Sequence, residues 1–410
     1  MKGTTRLLVA ASLVPAGLAA LGPSAPEAVA DENDRIPAFA RQYGISCSAC
    51  HNPIPKLTAF GELFAGNGFR MAPGEEPRDT IDTGDRLLAL AKDVPLALRL
   101  DAYVQAFNNG QTATDFKSPY NLKLLSGGQI SSKLSYYLYF FLFERGEVGG
   151  IEDAFIQLND VAGKPIDVVV GQFQVSDPMF KRELRLEYED YAVYRARMGL
   201  QPADLTYDRG VMVIADAAGF TFTGEVVNGN GRGPAGPDLN LDNDVAKSAF
   251  AHVTRDLSPS IRLGAMGYLG RQTGSAAGGP EVDSDLWMLG ADATVTVGPL
   301  EINGQYLHRE DDAPTFDPDE PRGKMDGGFV EAILRPAGSR WYALGLYNRV
   351  DANLPLLNVR LGGAPNVTRY QTITGGVGYE LRRNFRILAE ATWDTEVEEA
   401  RWTLGVVTAF

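Results

Sequence analysis

From Pro95 to the C-terminal Phe410 the chain is patterned with a period of two, and this feature most constrains its fold. In the stretch 96–106, Leu96, Leu98, Leu100, Ala102 and Val104 face one way, while Arg99, Asp101, Tyr103 and Gln105 face the other. Phe385, Ile387, Ala389, Ala391 and Trp393 alternate with Arg386, Glu390, Thr392 and Asp394. The last segment places Trp402, Leu404, Val406, Thr408 and Phe410 on one face, with Arg401, Thr403 and Gly405 on the other. Successive side chains of a strand point to opposite faces. One apolar and one polar face per strand predicts a membrane barrel with a wet lumen.

Counting such segments predicts about sixteen strands. Their expected starts are near residues 95, 118, 133, 150, 166, 208, 219, 244, 259, 284, 299, 325, 339, 368, 384 and 399. The connections alternate in length. Short ones include Ala217 to Gly219, Ser258-Pro259, Gly298-Pro299 and Arg382-Arg383. Long ones include Asn108 to Lys117, Val175 to Asp208, Gly229 to Asn243, Glu310 to Lys324 and Asp351 to Val367. Short periplasmic turns alternating with long outer loops form the outer-membrane pattern. A soluble β-sandwich, the alternative for many short strands, predicts neither strict alternation nor an aromatic last residue on the lipid face.

Composition agrees. Hydrophobic residues make up 44% and charged residues 22%, with 45 Gly, 16 Tyr and 19 Phe. A mean hydropathy of -0.14 excludes a chain of helical membrane spans. A net charge of -14 argues against nucleic acid as a partner and permits a cationic one.

Ahead of the barrel pattern lies Cys47-Ser48-Ala49-Cys50-His51, which holds the only two cysteines. A C-x-x-C-H run is the attachment signal for c-type haem. Each thiol joins one haem vinyl group, and the adjacent imidazole becomes an axial iron ligand. A bare C-x-x-C also serves as a disulfide, a redox dithiol or half a zinc site. Zinc needs a second ligand pair, and His252 and His308 are not spaced as one. A redox dithiol needs a βαβ context that the pattern lacks. One covalent haem c, held by Cys47, Cys50 and His51, is the expectation.

Three regions follow. Residues 1–30 read as a signal peptide: Lys2 and Arg6, an apolar run from Leu7 to Leu21, and Ala28-Val29-Ala30 before Asp31. Residues 31–93 read as a haem segment with a linker, and 94–410 as the barrel. In the haem segment, Ile36, Phe39, Ala40 and Tyr43 predict one helix. Leu57, Phe60, Leu63 and Phe64 predict a second, capped by Thr58 and ended by Gly66 or Gly68. About sixty residues cannot easily surround a haem and bury their own core. The barrel is therefore expected to complete the cover, with the segment as a plug at its periplasmic mouth.

Met71 is the nearest candidate for a sixth ligand, and thioether ligation would raise the reduction potential; a packing or linker role is its equal alternative. Met179, Met198 and His252 are weaker candidates. Arg35, Arg41, Lys56 and Arg70 flank the motif and are candidates for haem propionates. Phe39, Tyr43, Phe60, Phe64 and Phe69 are candidates for haem walls. The longest loop, Val175 to Asp208, mixes Lys181, Arg182, Arg185, Arg195 and Arg197 with Glu183, Glu187, Glu189 and Asp190. It folds either into the lumen or out into solvent. Acidic clusters at Glu310-Asp311-Asp312, Asp317 to Glu320 and Asp238 to Asp244 would concentrate Fe²⁺ or simply keep the surface soluble.

The block Arg41-Gln42-Tyr43-Gly44-Ile45-Ser46-Cys47-Ser48-Ala49-Cys50-His51, with Pro55, Leu57-Thr58-Ala59-Phe60-Gly61 and Asn67-Gly68-Phe69, resembles the fused cytochrome–porins of the bacterial outer membrane. That family includes outer-membrane iron oxidases. Over the barrel the resemblance is architectural. Gly171-Gln172-Phe173 with Asp208-Arg209-Gly210-Val211 also resembles phosphate-selective porins. The resemblance implies one c-type haem ahead of a single-chain barrel in the outer membrane. It also implies oxidation of extracellular Fe(II), with electrons passed to a periplasmic carrier such as a soluble cytochrome c. The alternatives are a porin with the haem as plug or sensor, and outward electron flow to an extracellular acceptor.

Overall fold

The computed structural model of the chain describes residues 38–410 apart from 54–55, 79, 86, 89, 93–94, 109–113, 178, 180–182, 186, 237, 243, 277 and 362–365. The signal-peptide reading of 1–30 and the positions Arg35, Ile36, Pro55, Lys181 and Arg182 lie outside the described residues. Three short helices come first: α1 (Ala38–Tyr43), α2 (Cys47–Cys50) and α3 (Ala59–Gly66). A two-stranded hairpin follows, β1 (Thr80–Ile81) and β2 (Leu90–Ala91).

Sixteen strands then form the barrel. They are β3 (Leu96–Phe107), β4 (Thr114–Ser131), β5 (Leu134–Glu144), β6 (Ile151–Leu158), β7 (Ile166–Gln174), β8 (Tyr207–Ala217), β9 (Phe220–Val227) and β10 (Ser248–Ser258). The second half holds β11 (Ile261–Gly274), β12 (Val282–Val297), β13 (Leu300–Asp311), β14 (Gly323–Leu334), β15 (Trp341–Ala352), β16 (Arg369–Arg382), β17 (Phe385–Asp394) and β18 (Glu399–Ala409). Each pairs antiparallel with its neighbour in sequence, and β18 closes the ring on β3 with Arg401 opposite Phe107 and Ala409 opposite Arg99. Closure leaves no unpaired edge, the condition for a sheet to cross a bilayer.

Every strand starts within four residues of its expected position. The two largest offsets are at β4 and β10, and that of β4 has a local cause. β4 begins at Thr114 and runs through Pro119, because a bulge shifts its register between Asp101 and Tyr103 of β3, so that the residue lacking an N–H falls outside the regular ladder. The expected faces also hold: in β17 the Ile387, Ala389, Ala391 and Trp393 side of the strand is exposed and the Arg386, Glu390, Thr392 and Asp394 side is buried. Trp341 and Tyr379 pack at the short-turn end (centroids 4.5 Å apart), and Trp393 and Trp402 lie toward the long-loop end. Two aromatic levels of this kind suit the two interfaces of a bilayer.

The wet lumen expected from the alternation is not what the inner wall of β10–β16 encloses. Its inward residues include Phe250, Met266, Tyr268, Met288, Phe329 and Tyr342, and they form the largest buried apolar cluster. The loop 175–206 supplies the other half, with Met179, Tyr191, Tyr194 and Met198 all fully buried. A short helix, α4 (Ala192–Arg195), carries Tyr194, and Tyr191 stands at its N-cap. A period-two pattern reports which face is inward but not what covers it; here a long loop brings its own apolar side chains into the barrel.

Candidate cofactor site

The site begins with one helical turn. Ser46 caps α2, its hydroxyl accepting from the Ser48 N–H, and the His51 N–H donates to the Cys47 carbonyl at 3.0 Å. Residues three apart share a helix face, so Cys47 and Cys50 present their thiols together. Thr58 then ties the next helix to this turn. Its N–H donates to the Cys50 carbonyl at 2.8 Å, and its hydroxyl donates to the Ala49 carbonyl at 2.7 Å while capping α3 through the Gly61 N–H. Gly61 is required by closeness, because a Cβ there would strike the Cys50 carbonyl. The expected cap and the expected glycine ending of α3 at Gly66 are both observed.

Polar contacts fasten this segment around the short-turn mouth. Arg41 donates to the Leu96 carbonyl at 2.9 Å, and Glu62 receives Arg262 at 2.6 Å. The Gly66 and Gly68 carbonyls accept from Gln157 and Ser135 at 2.7 and 2.8 Å. Arg70, 1% exposed, reaches the Ser132 carbonyl and the Asp160 carboxylate, each at 2.9 Å. Lys56 pairs with Glu301. Gly68 has a left-handed backbone (φ 64°), and a Cβ there would meet Ser135 and Asn159. The partners belong to strands and turns spread from β3 to β13. The segment therefore lies across the mouth rather than hanging from one side.

Between segment and wall is a cavity lined by Cys47, Cys50 and His51 on one side and by Ala97, Leu125 and Tyr137 of the barrel on another. Phe39, Phe64 and Phe69 close it, with Phe39 stacked on Phe69 at 4.8 Å and Phe69 on Tyr137 at 5.3 Å. Tyr43 packs behind them, and Phe60 is 41% exposed and outside the lining. Both cysteines are free thiols. Burial pushes the Cys47 thiol up, and burial followed by the neighbouring Cys47 pushes Cys50 up. Redox dithiols and thiolate metal ligands need the opposite shift. Among the described residues no three His, Cys, Asp or Glu side chains gather as a metal site. Two thiols and an imidazole on an apolar, aromatic-walled cavity fit a c-type haem.

Other sequence candidates fall elsewhere. Met71 is not in the lining; it is exposed at a bend, where its N–H donates to Glu75 at 2.6 Å. Met179 and Met198 belong to the lumen core. His252 is buried against Asp292 at 2.8 Å, and His308 sits beside Asp326 at 2.9 Å and Trp287. Arg41, Lys56 and Arg70 serve as fasteners to the barrel and do not line the cavity. One acidic cluster is neutralised, with Asp311 paired to Arg309, Glu310 to Lys324 and Asp312 to Arg322, and in the 238–244 cluster Asp242 pairs with Lys247.

The cations that do face the cavity come from the barrel. Arg99 and Lys123 line its inner end with Tyr139 and Glu183. Arg99, Lys123 and Tyr139 donate to the Glu183 carboxylate at 2.7, 3.0 and 2.8 Å. Burial by itself would raise the Glu183 carboxyl, but the Arg99 guanidinium, Lys123 and Arg185 together hold it well below the usual carboxylate range. Glu183 belongs to the loop 175–206, three of whose other acids take partners from the barrel: Glu187 holds Arg386 and Tyr342, Glu189 holds Arg401 and Tyr370, and Asp190 holds Arg145, while Asp204 pairs with Arg197 within the loop. Reading the sequence placed Arg99 on the inward face but gave Lys123 no role; a cation on an inward strand position near the mouth was the available signal. On the opposite side of the loop a second cavity of about 690 Å³ opens, lined by Lys117, Tyr120, Tyr188, Arg145 and Arg360 among others.

No family model matches the chain, and no curated protein matches it in sequence. Solved structures do match the barrel. The anion-selective porin from Comamonas acidovorans aligns with a TM-score of 0.53 at 13% identity, covering 78% of this chain and 99% of that one. OmpF of Salmonella typhi in complex with daunomycin gives 0.53 at 11% identity, covering 77% and 97%. The OmpT loop L8 deletion mutant of Vibrio cholerae gives 0.51 at 15% identity, covering 78% and 99%. At these identities the shared feature is the fold: a closed antiparallel barrel of sixteen strands like those of outer-membrane porins.

Proposed function

We propose that the protein is an outer-membrane electron carrier in which Cys47, Cys50 and His51 hold one c-type haem at the periplasmic mouth of the barrel. The observation that carries this reading is the placement of the thiol pair and the imidazole on an apolar cavity that the barrel wall completes. The haem would supply a one-electron couple there. The chain's own residues do the rest. Cys47 and Cys50 fix the group covalently, His51 donates an imidazole nitrogen to the iron, and Phe39, Phe64, Phe69 and Tyr137 exclude water. The exposed apolar outer face of the strands, Leu269, Leu289, Ile373 and Leu404 among them, suits outer-membrane lipid.

Fe(II) outside the cell is the proposed donor and a periplasmic cytochrome c the proposed acceptor; both rest on the resemblance of the haem segment to cytochrome–porins. Met71 is the thioether proposed for the sixth position, which requires the bend at 71–75 to turn into the cavity. Its test is Met71→Ala: loss of the thioether-to-iron charge-transfer band supports ligation, and an unchanged spectrum removes it. For the reaction, the purified oxidised protein is mixed with Fe²⁺ and haem reduction followed optically. A haem that stays oxidised at every pH where Fe²⁺ is soluble removes the iron-oxidase reading.

A channel is the second reading, favoured by the porin likeness of the barrel and by the large cavity beyond the loop 175–206. Steady ion current through haem-loaded protein in planar bilayers would support it. The packed lumen core argues for a closed state. A midpoint potential well below that of the external Fe³⁺/Fe²⁺ couple would instead favour outward electron flow.

A further inference from the structure

We infer that Arg99, Lys123 and Tyr139 form a carboxylate-binding niche for a haem propionate, which competes there with Glu183 of the lumen loop. The inference rests on the haem reading above. A haem is chemically two-ended: its vinyl edge goes to the cysteines, and its two carboxylates point away from them. The cavity is two-ended in the same sense. Cys47, Cys50 and His51 mark the mouth side, and strand register sets the depth of the rest. Ala97 pairs with Leu125, and Arg99 pairs with Lys123 two residues further along β3, a step of about 7 Å at the usual strand rise. The apolar lining thus gives way to two cations on the inner side.

What the niche accepts is shown by its occupant. Three donors converge at 2.7–3.0 Å on one carboxylate, that of Glu183. Arg99, Lys123 and Tyr139 are themselves 9, 1 and 5% exposed. Asp101 clasps the rest of the Arg99 guanidinium at 2.8 and 2.9 Å. Within hydrogen-bond contact the niche holds two cations and one fixed anion, which a single further carboxylate balances; the nearby Arg185 faces Asp190 at 3.9 Å. A propionate and Glu183 are equivalent in charge, so exchanging one for the other leaves that balance intact. The exchange also frees the segment around Glu183, which links haem loading to the set of the lumen loop.

The test uses full-length protein matured with haem, compared with Arg99→Gln, Lys123→Met and Glu183→Gln. Attachment depends on the cysteines, so covalent haem staining checks the underlying reading separately; its absence from the wild type would remove that reading, not the niche alone. With haem present in all forms, the niche predicts that Arg99→Gln and Lys123→Met lower the midpoint potential and shift the propionate bending band in resonance Raman spectra, and that Glu183→Gln moves neither. A potential raised by Glu183→Gln, with the Raman band unmoved by the two cation variants, would show that Glu183 keeps the niche and would overturn the inference. Should the cation variants fail to fold, hydrogen exchange on the wild type decides: residues near Glu183 should exchange faster in haem-loaded protein than in Cys47→Ala with Cys50→Ala, and equal protection overturns the proposal.

Discussion

The two ends of the barrel are closed by different chemistry. At the short-turn mouth, α1–α3 are held by hydrogen bonds and ion pairs around the rim, and the space behind them is an apolar cavity bearing two thiols and an imidazole. Toward the long loops, the segment 175–206 is packed into the lumen by large side chains, with its acids matched to wall cations. A plug fixed at its edges leaves an apolar interior to be filled, whereas a plug fixed through its own core leaves room only beside it, in the charged second cavity of about 690 Å³. The molecule thus keeps apolar space at the short-turn end and charged space beside the long loop.

The sharpest way to break this contrast is at the thiols. Cys47→Ala with Cys50→Ala should abolish covalent haem entirely while the barrel keeps its heat-modifiable mobility on gels; covalent staining that persists would sink the cofactor assignment. At the other end, Tyr191→Ala with Tyr194→Ala removes two fully buried rings. Truncating a large buried aromatic costs about 3–5 kcal/mol, so the loop should loosen and single-channel conductance should rise, and an unchanged current would show that the loop is not the seal. Gly61→Ala forces a Cβ onto the Cys50 carbonyl. Overpacking of this kind costs about 1–3 kcal/mol, and the haem yield should fall while conductance is unaltered.

Arg70→Met strips partners from the Ser132 and Asn67 carbonyls and from Asp160. That should cost about 1–3 kcal/mol, read as faster proteolysis of 38–70 with the barrel intact. The smallest effect is on pH. Glu183 and Asp190 are both held below the usual carboxylate range in the folded chain, Glu183 by Arg99 and Asp190 by Arg145 against the opposing pull of burial. A depressed carboxyl stabilises fully above its unfolded value, about 4, and the gain is lost as pH falls through the folded one. The part of the loop's protection against hydrogen exchange that is lost in Glu183→Gln and Asp190→Asn should be constant above about pH 5 and decline only below about pH 4; loss of that part near neutrality would contradict the ion-pair assignment.

Much of this was legible in the chain. Alternation along β3, β17 and β18 located lipid-facing and inward residues, because the side-chain period of a strand is fixed by its backbone. The Cys47–His51 run and Thr58 were legible because helix caps and haem attachment are local in sequence. The lumen core was not legible: nothing in the pattern of Phe250 or Tyr268 says that Tyr194 will cover it, since that contact is set by how a long loop folds back. The niche was hidden for the same reason. Arg99, Lys123 and Glu183 are brought together by strand register and loop path across separations of 60 and 84 positions, whereas the flanking cations that looked suitable were used to dock the segment.

The closure of the ring has a consequence for how the molecule must be made. Ala409, on the last strand, lines the cavity beside Ala97, Leu98 and Arg99 of the first barrel strand, and Phe410 and Leu98 exchange backbone hydrogen bonds at 2.7 and 2.9 Å. The cavity wall therefore runs through the seam, and it is complete only when the chain's final residues arrive. Pairing of β18 with β3 is therefore part of building the cavity wall, and any group held by Cys47 and Cys50 is bounded by that seam.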